Sequence, residues 1–95
     1  MNYVKIVINN KEILIDLDKK IKVCNEKISS IDSDMIDILM RILRSWKNDN
    51  NNKIIDGDKY LVRIVNDLEI YEYSDKLKYP SNYNEFRKWV DDVYE

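Results

Sequence analysis

The stretch that decides the fold covers residues 3–17 and reads YVKIVINNKEILIDL. Apolar side chains occupy every second position on both sides of Asn9-Asn10, namely Val4, Ile6 and Ile8, then Ile13, Ile15 and Leu17. Asparagine tolerates the positive φ that a tight hairpin turn needs. A two-residue turn there pairs Ile6 with Ile13, so the turn and the apolar pattern select the same register. The sequence therefore predicts a β-hairpin over this stretch.

An amphipathic helix is predicted over residues 32–47. Its apolar residues follow the i, i+4, i+7 spacing of one helical stripe, which contains Ile31, Met35, Ile38, Leu39, Ile42, Leu43 and Trp46. Acidic residues occupy its first turns and basic residues its last, which complements the helix dipole. Before the helix, Ile21 and Val23 alternate with polar residues and permit a short third strand, whereas Asn25 and Ser29-Ser30 predict a loop.

A second hairpin is predicted over residues 60–73, where two apolar strands flank Asn66-Asp67. A two-residue turn at this pair places Tyr60 opposite Tyr73. The hairpin carries apolar residues on both faces. The helix over residues 32–47 can cover one face of the sheet, and a short C-terminal helix can cover only part of another. Some apolar sheet surface is therefore expected to remain open to a second chain.

The C-terminal helix is predicted over residues 82–94. Asn82, with Glu85 three residues later, resembles a capping box at its start. We therefore expect a single α+β domain over residues 1–95. Its two β-hairpins form a small antiparallel sheet packed by two helices, in the order ββ(β)αββα.

The composition excludes several classes of function. The chain of 95 residues has no histidine, one cysteine and one glycine. This removes Cys/His zinc sites, His-dependent triads, disulfide frameworks, P-loops and dinucleotide fingerprints. No apolar run approaches the ~20 residues of a membrane span, and no N-terminal segment suggests export. A cytoplasmic protein is expected, with no membrane partner, catalytic residue, metal or cofactor.

Several polar groups could carry chemistry, but each is better explained as structural. Asp16 and Asp18 could share a face as paired carboxylates, yet no nucleophile or metal ligand accompanies them. The turn at residues 56–58 lacks the ligand spacing of an EF-hand. The lysines within residues 19–22 form a basic cluster without the interleaved aromatic residues that base stacking needs. Cys24 has no histidine to activate it.

The composition also indicates an origin. The chain has 12 lysines, four arginines and no alanine, which is typical of an A/T-rich genome such as that of a low-GC bacterium, its phages or its mobile elements. In size and composition the chain is similar to phage-encoded inhibitors, including some anti-CRISPR proteins, although this likeness covers no specific residues. The net charge of −2 disfavours direct nucleic-acid binding, which normally needs a clustered positive surface.

These observations predict a non-enzymatic protein-binding module, and in particular a small inhibitor of the anti-defence or anti-CRISPR type. Its expected partner is another protein, for example a nuclease or a nucleic-acid-binding protein, and a homodimer is also open. An immunity protein or an antitoxin is an alternative, since it would also bind its partner through a complementary surface. A nucleic-acid-associated protein is a further alternative, in which the helix over residues 32–47 presents Arg41, Arg44 and Lys47.

The second hairpin is the predicted contact surface. Tyr71 and Tyr73 are expected to anchor the partner, because tyrosine is enriched at binding hot spots. Glu69, Glu72 and Asp75 are expected to form an acidic rim around them. Such a rim could approach a basic cleft, including the nucleic-acid channel of a nuclease.

Overall fold

The structure is a computed structural model that describes residues 2–46, 59–68, 70–74 and 80–94. Its elements are β1 (Tyr3–Ile8), β2 (Lys11–Asp16), β3 (Ile21–Cys24), β4 (Lys27–Ser30), α1 (Ser33–Ser45), β5 (Tyr60–Val65), β6 (Ile70–Ser74) and α2 (Tyr83–Val93). The strands form one antiparallel sheet in the order β4-β3-β2-β1-β5-β6. The predicted α+β fold is confirmed, with one strand more than the sequence indicated.

The β1–β2 hairpin has the predicted register, with Ile6 opposite Ile13. Asn9 in its turn has a φ of 54°, which asparagine accepts more readily than most residues. The turn is also tied to the chain just before β5. The N–H of Asn9 donates to the carbonyl of Lys59 at 2.7 Å, and the N–H of Lys59 donates to Asn9 Oδ1 at 3.0 Å. Local turn chemistry and a tertiary contact therefore stabilise the same conformation.

The chain between β2 and α1 forms another β-hairpin, where the sequence predicted one short strand followed by a loop. β4 pairs with β3, so Ser29 and Ser30 lie in a strand and the predicted loop is wrong. The turn consists of Asn25 and Glu26, with φ of 50° and 65°, the left-handed pair that a type I′ turn requires. Glycine usually occupies the second of these positions. Because Glu26 stands where glycine is expected, the sequence pattern did not indicate this turn.

Both helices pack on the same face of the sheet, whereas the sequence suggested that they would cover different faces. The helices run antiparallel. Trp89 Nε1 in α2 donates to the carbonyl of Met35 near the start of α1 at 3.0 Å, and Lys22 Nζ of β3 donates to the carbonyl of Val93 at 2.7 Å. One core lies between the sheet and the helices. It contains Val4, Ile6, Ile8, Ile13, Ile15, Cys24, Ile31, Leu39, Ile42, Leu43, Trp46, Tyr60, Val62, Ile64, Tyr83, Phe86, Trp89, Val90 and Val93.

The predicted capping box at the start of α2 is not formed. The side chain of Asn82 makes no hydrogen bond to the helix it precedes. Its Oδ1 instead accepts from Trp46 Nε1 at 2.6 Å, and its Nδ2 donates to Ser45 Oγ at 2.9 Å. An amide can accept and donate at the same time. Asn82 therefore links the end of α1 to the start of α2.

The other face of the sheet has no described element packed over it, and we call it the open face. Its side chains belong to Tyr3, Lys5, Val7, Glu12, Leu14, Asp16, Ile21, Val23, Ile28, Ser30, Leu61, Arg63, Val65, Ile70, Glu72 and Ser74. Leu14 is 36%, Ile70 63% and Ile28 70% exposed. Lys5 Nζ lies 3.4 Å from Glu12 Oε1 near the middle of this face. Apolar groups thus flank a charged centre.

Candidate protein-binding surface

The predicted contact surface lies on the β5–β6 hairpin, at one end of the sheet. Its register differs by two residues from the prediction, since Tyr73 lies opposite Val62 and not opposite Tyr60. The difference begins in the turn, where Asn66 Oδ1 accepts from the N–H of Leu68 at 2.9 Å. This local bond favours a turn at Asp67 and Leu68, so the chain reverses one residue later than predicted. A shift of two residues keeps every side chain on its predicted face, because strand side chains alternate with a period of two.

Tyr71 and Tyr73 lie on the face that the helices cover. Both side chains are half-buried and pack against the core. The ring of Tyr73 meets Trp46 edge to face, with 5.3 Å between the ring centroids and 88° between the planes, a geometry that aromatic pairs prefer. Each tyrosine therefore serves the fold with one part of its surface and exposes the rest. Their role as anchors stays a prediction.

The same tyrosines line a cleft between α1 and the β5–β6 hairpin. Its volume is about 150 Å³, and its other lining residues are Met40, Leu43, Arg44, Ile64 and Asn66. A cavity of roughly this volume can hold a benzene-sized group. Apolar and aromatic side chains share the walls with the polar Arg44 and Asn66 in about equal measure, and the single guanidinium contributes positive charge. The cleft therefore suits an apolar or aromatic side chain better than a basic one.

Glu72 is exposed on the open face, opposite the side on which Tyr71 and Tyr73 lie. Glu69 and Asp75, the other predicted members of the acidic rim, lie outside the described residues. Successive residues of a strand point to opposite faces. Tyr71 and Tyr73 therefore lie on one face and Glu72 on the other. A partner can contact all three residues only at the outer edge of β6.

Two exposed residues of this hairpin were not singled out from the sequence. Leu68 in the turn is 92% exposed, and Ile70 at the start of β6 is 63% exposed. Ile70 lies opposite Val65 on the open face. The sequence did indicate the face on which Ile70 lies, because strand alternation places Ile70 and Tyr71 on opposite faces of the sheet. Its exposure was hidden, since it depends on both helices lying on the far side.

The paired carboxylates near the end of β2 stabilise turns. Asp16 Oδ1 accepts from the N–H groups of Asp18 and Lys19, both at 3.0 Å. The carboxylate of Asp18 accepts from the N–H of Asn2 at 3.2 Å and from its Nδ2 at 3.1 Å. Each carboxylate thus satisfies backbone donors in the turn that follows β2 or at the start of the chain.

Other candidate groups also have structural positions. Lys22, from the basic cluster, is 8% exposed and contacts the last turn of α2. Cys24 is a buried free thiol in the core. The hydroxyl of Tyr94 donates to Asn25 Oδ1 at 2.9 Å, which links the end of α2 to the β3–β4 turn. The turn at residues 56–58 lies outside the described residues.

Among the described residues, no group of three or more cysteine, aspartate and glutamate side chains could hold a metal ion. Neither described helix is long and apolar enough to cross a membrane. No family model, curated protein or solved structure matches the chain.

Proposed function

We propose that this protein is a non-enzymatic protein-binding module that inhibits another protein by covering part of its surface. The observation that carries the proposal is the placement of both helices on one face of the sheet, with Leu14, Ile28 and Ile70 exposed on the other. Apolar groups left exposed on one face of a sheet are suited to take part in an interaction surface. Covering a surface requires shape and charge complementarity, and no catalytic group.

The β5–β6 hairpin is the proposed contact region. It combines the exposed apolar residues Leu68 and Ile70 with the half-buried side chains of Tyr71 and Tyr73. Glu72 adds a carboxylate at the same edge. Aromatic anchors surrounded by polar groups are the usual composition of a binding hot spot. A standard interface needs about 800 Å² from each partner, so the hairpin and the neighbouring open face would both take part.

The charge of this region favours a basic target. Residues 64–75 contain four carboxylates and no lysine or arginine. An acidic hairpin would be attracted to a basic cleft and would compete there with a nucleic acid. A nuclease or another nucleic-acid-binding protein has such a cleft. Together with an amino-acid composition typical of an A/T-rich genome, this supports an inhibitor of the anti-defence type encoded by a phage or mobile element.

Capture of the partner with matched variants tests the contact region. The tagged full chain, an Ile70→Lys variant and an Ile28→Lys variant are incubated with lysate of the organism that encodes the protein. The two isoleucines are exposed on the same face of the sheet, but on opposite edge strands. We expect the wild type and Ile28→Lys to retain the same protein and Ile70→Lys to lose it. Retention of the partner by the wild type and both variants would place the interface elsewhere.

Titration of the purified partner tests the mode of action. An inhibitor that covers a surface abolishes the partner's activity at a fixed molar ratio, and Glu72→Lys weakens its affinity at least about tenfold, on the scale of a lost charge contact. Complete inactivation by far less than one equivalent of this protein would indicate turnover and contradict a non-enzymatic function.

A further inference from the structure

We propose, building on the function proposed above, that β6 binds the partner as an added β-strand, and that the added segment is an extended one in which basic residues alternate with apolar residues. The partner would bind at the outer edge of β6, where both faces can be reached, with Tyr71 and Tyr73 on one side and Glu72 on the other. Its backbone would pair with β6, and its side chains would contact both faces of the sheet.

The backbone of β6 is available for pairing. In the part of the chain that the structure describes, β5 is its only neighbouring strand. In an antiparallel pair, every second residue directs its N–H and C=O groups away from the partner strand. The register across β1, β5 and β6 makes these residues Ile70, Glu72 and Ser74, whose N–H and C=O groups point to the outer edge. Such an edge is a template for another strand, and many peptide-binding domains use it in this way.

β6 is better suited to this role than β4, the strand at the other end of the sheet. β4 has four residues and begins with Lys27, and short length and lysine are two ways in which natural sheets protect their edges. β6 has five residues and contains no lysine or proline. The two edges thus differ in protection, and β6 is the less protected one.

The helix-covered side of β6 selects apolar side chains. An added strand would place alternate side chains beside the cleft lined by Met40, Arg44, Tyr71 and Tyr73. The cleft, of about 150 Å³, can hold a benzene-sized group. The guanidinium of Arg44 disfavours a second cation at this position, and Met40, Tyr71 and Tyr73 offer apolar and aromatic surface, so we assign apolar or aromatic residues to this side of the added strand.

The open side of β6 selects basic side chains. Glu72 is exposed there, with Arg63 opposite it on the inner neighbour β5. Asp67 in the turn is also exposed. Pairing of β6 with a second copy would bring two acidic hairpins together, because residues 64–75 hold four carboxylates and no cation. Like charges placed opposite each other destabilise a strand pair. Charge therefore favours a basic segment over self-association.

Titration of the full-length, isotope-labelled chain with synthetic peptides tests the proposal by NMR. The probe is a seven-residue peptide in which lysine alternates with valine and isoleucine, KVKIKVK. We expect it to shift the amide signals of Ile70–Ser74 and to slow their hydrogen exchange at least about tenfold, as new backbone hydrogen bonds would. The same peptide methylated on alternate backbone nitrogens cannot donate these bonds and should not bind.

Peptides and protein variants of altered charge test whether β6 prefers a basic peptide. A peptide with glutamate in place of lysine, EVEIEVE, should bind the wild type at least about tenfold more weakly. Glu72→Lys should reverse this order. Glu12→Lys is the matched control, since Glu12 is an exposed carboxylate on the same face but on β2, three strands from β6. It should keep the wild-type order.

Three results would overturn the proposal, namely peptide-induced shifts confined to residues outside β6, no shift of β6 at millimolar KVKIKVK, or equal binding of the methylated peptide. A dimer with protected β6 amides in the absence of peptide would identify a second copy as the occupant instead. Loss of the captured partner by Ile70→Lys, with no effect of peptides on β6, would retain the proposed contact region and reject strand addition. Peptide binding at β6 with no loss by Ile70→Lys would support strand addition and reject the contact region.

Discussion

The two faces of the sheet bear apolar side chains of similar kind but have different surroundings. On β1, Ile6 faces the helices and is fully buried, whereas its neighbour Val7 faces the open side and is only half-buried. Burying a large aliphatic side chain stabilises a protein by about 1.5–3 kcal/mol. The covered face therefore supplies most of the folding free energy. An apolar face becomes core only when another element covers it, and the open face has no such cover among the described elements.

The largest expected effect separates these faces at adjacent positions of one strand. Ile6→Asp should unfold the protein, because an unpaired carboxylate in the core costs several kcal/mol out of a total stability of roughly 5–15 kcal/mol. Val7→Asp should remain folded, since its carboxylate can reach water. Circular dichroism during urea denaturation measures both. A cooperative transition of Ile6→Asp with wild-type midpoint would show that the covered face is wrongly assigned.

A smaller effect is expected where the two helices are joined over the covered face. Asn82→Ala removes the hydrogen bonds to Trp46 Nε1 and Ser45 Oγ and leaves a largely buried indole N–H without its partner. We expect the free energy of unfolding to fall by about 1–2 kcal/mol. Asn84→Ala, an exposed asparagine on the same helix, is the control and should change stability by less than about 0.5 kcal/mol. Equal stability of both variants would mean that the Asn82 link contributes nothing.

The β3–β4 turn should respond in the opposite direction. Glu26 has a φ of 65°, and a left-handed conformation costs a non-glycine residue about 1–2 kcal/mol. Glu26→Gly should therefore raise the free energy of unfolding by about 1 kcal/mol, after the entropic cost of glycine is subtracted. Lys27→Gly, one residue later in β4, should lower it by about 0.5–1 kcal/mol. Destabilisation by Glu26→Gly would contradict the type I′ turn. Both values come from thermal or urea unfolding.

The smallest effect on stability is expected at the edges of the open face. Ile28→Lys and Ile70→Lys replace side chains that are 70% and 63% exposed, and each should change the free energy of unfolding by no more than about 0.5 kcal/mol. Urea denaturation checks this before either variant is used in a binding experiment. A loss above about 2 kcal/mol at Ile70 would show that another part of the chain covers it.

The sequence predicted elements best where one local signal agreed with another. The turn at Asn9-Asn10 and the alternation around it selected one register, and the structure has it. In the second hairpin the apolar pattern could not distinguish registers two residues apart, because both keep the same faces. The observed register is accompanied by a bond from the N–H of Leu68 to Asn66 Oδ1 in the turn. β4 was missed because its only strand signal is its pairing with β3.

The candidate site was predictable in composition but not in arrangement. Alternation placed Tyr71 and Tyr73 on one face and Glu72 on the other. It could not tell which face the helices would cover, so the tyrosines were expected as exposed anchors and are half-buried against α1. The same missing information hid the exposure of Ile70, which the predicted register places opposite Arg63 and the structure opposite Val65.

By itself, the sequence determined the α+β class, both helices, the first hairpin and the facing of residues in the strands that it predicted, since all of these depend on period, turn chemistry and neighbours along the chain. Only the tertiary structure decided which face became core, how Asn82 was used and where β6 lay in the sheet. These depend on contacts between residues far apart in sequence. Asn82 joins α1 at Trp46, 36 residues away, and no local pattern records that the two meet. A strand's period of two distinguishes its faces, but burial depends on what packs against them.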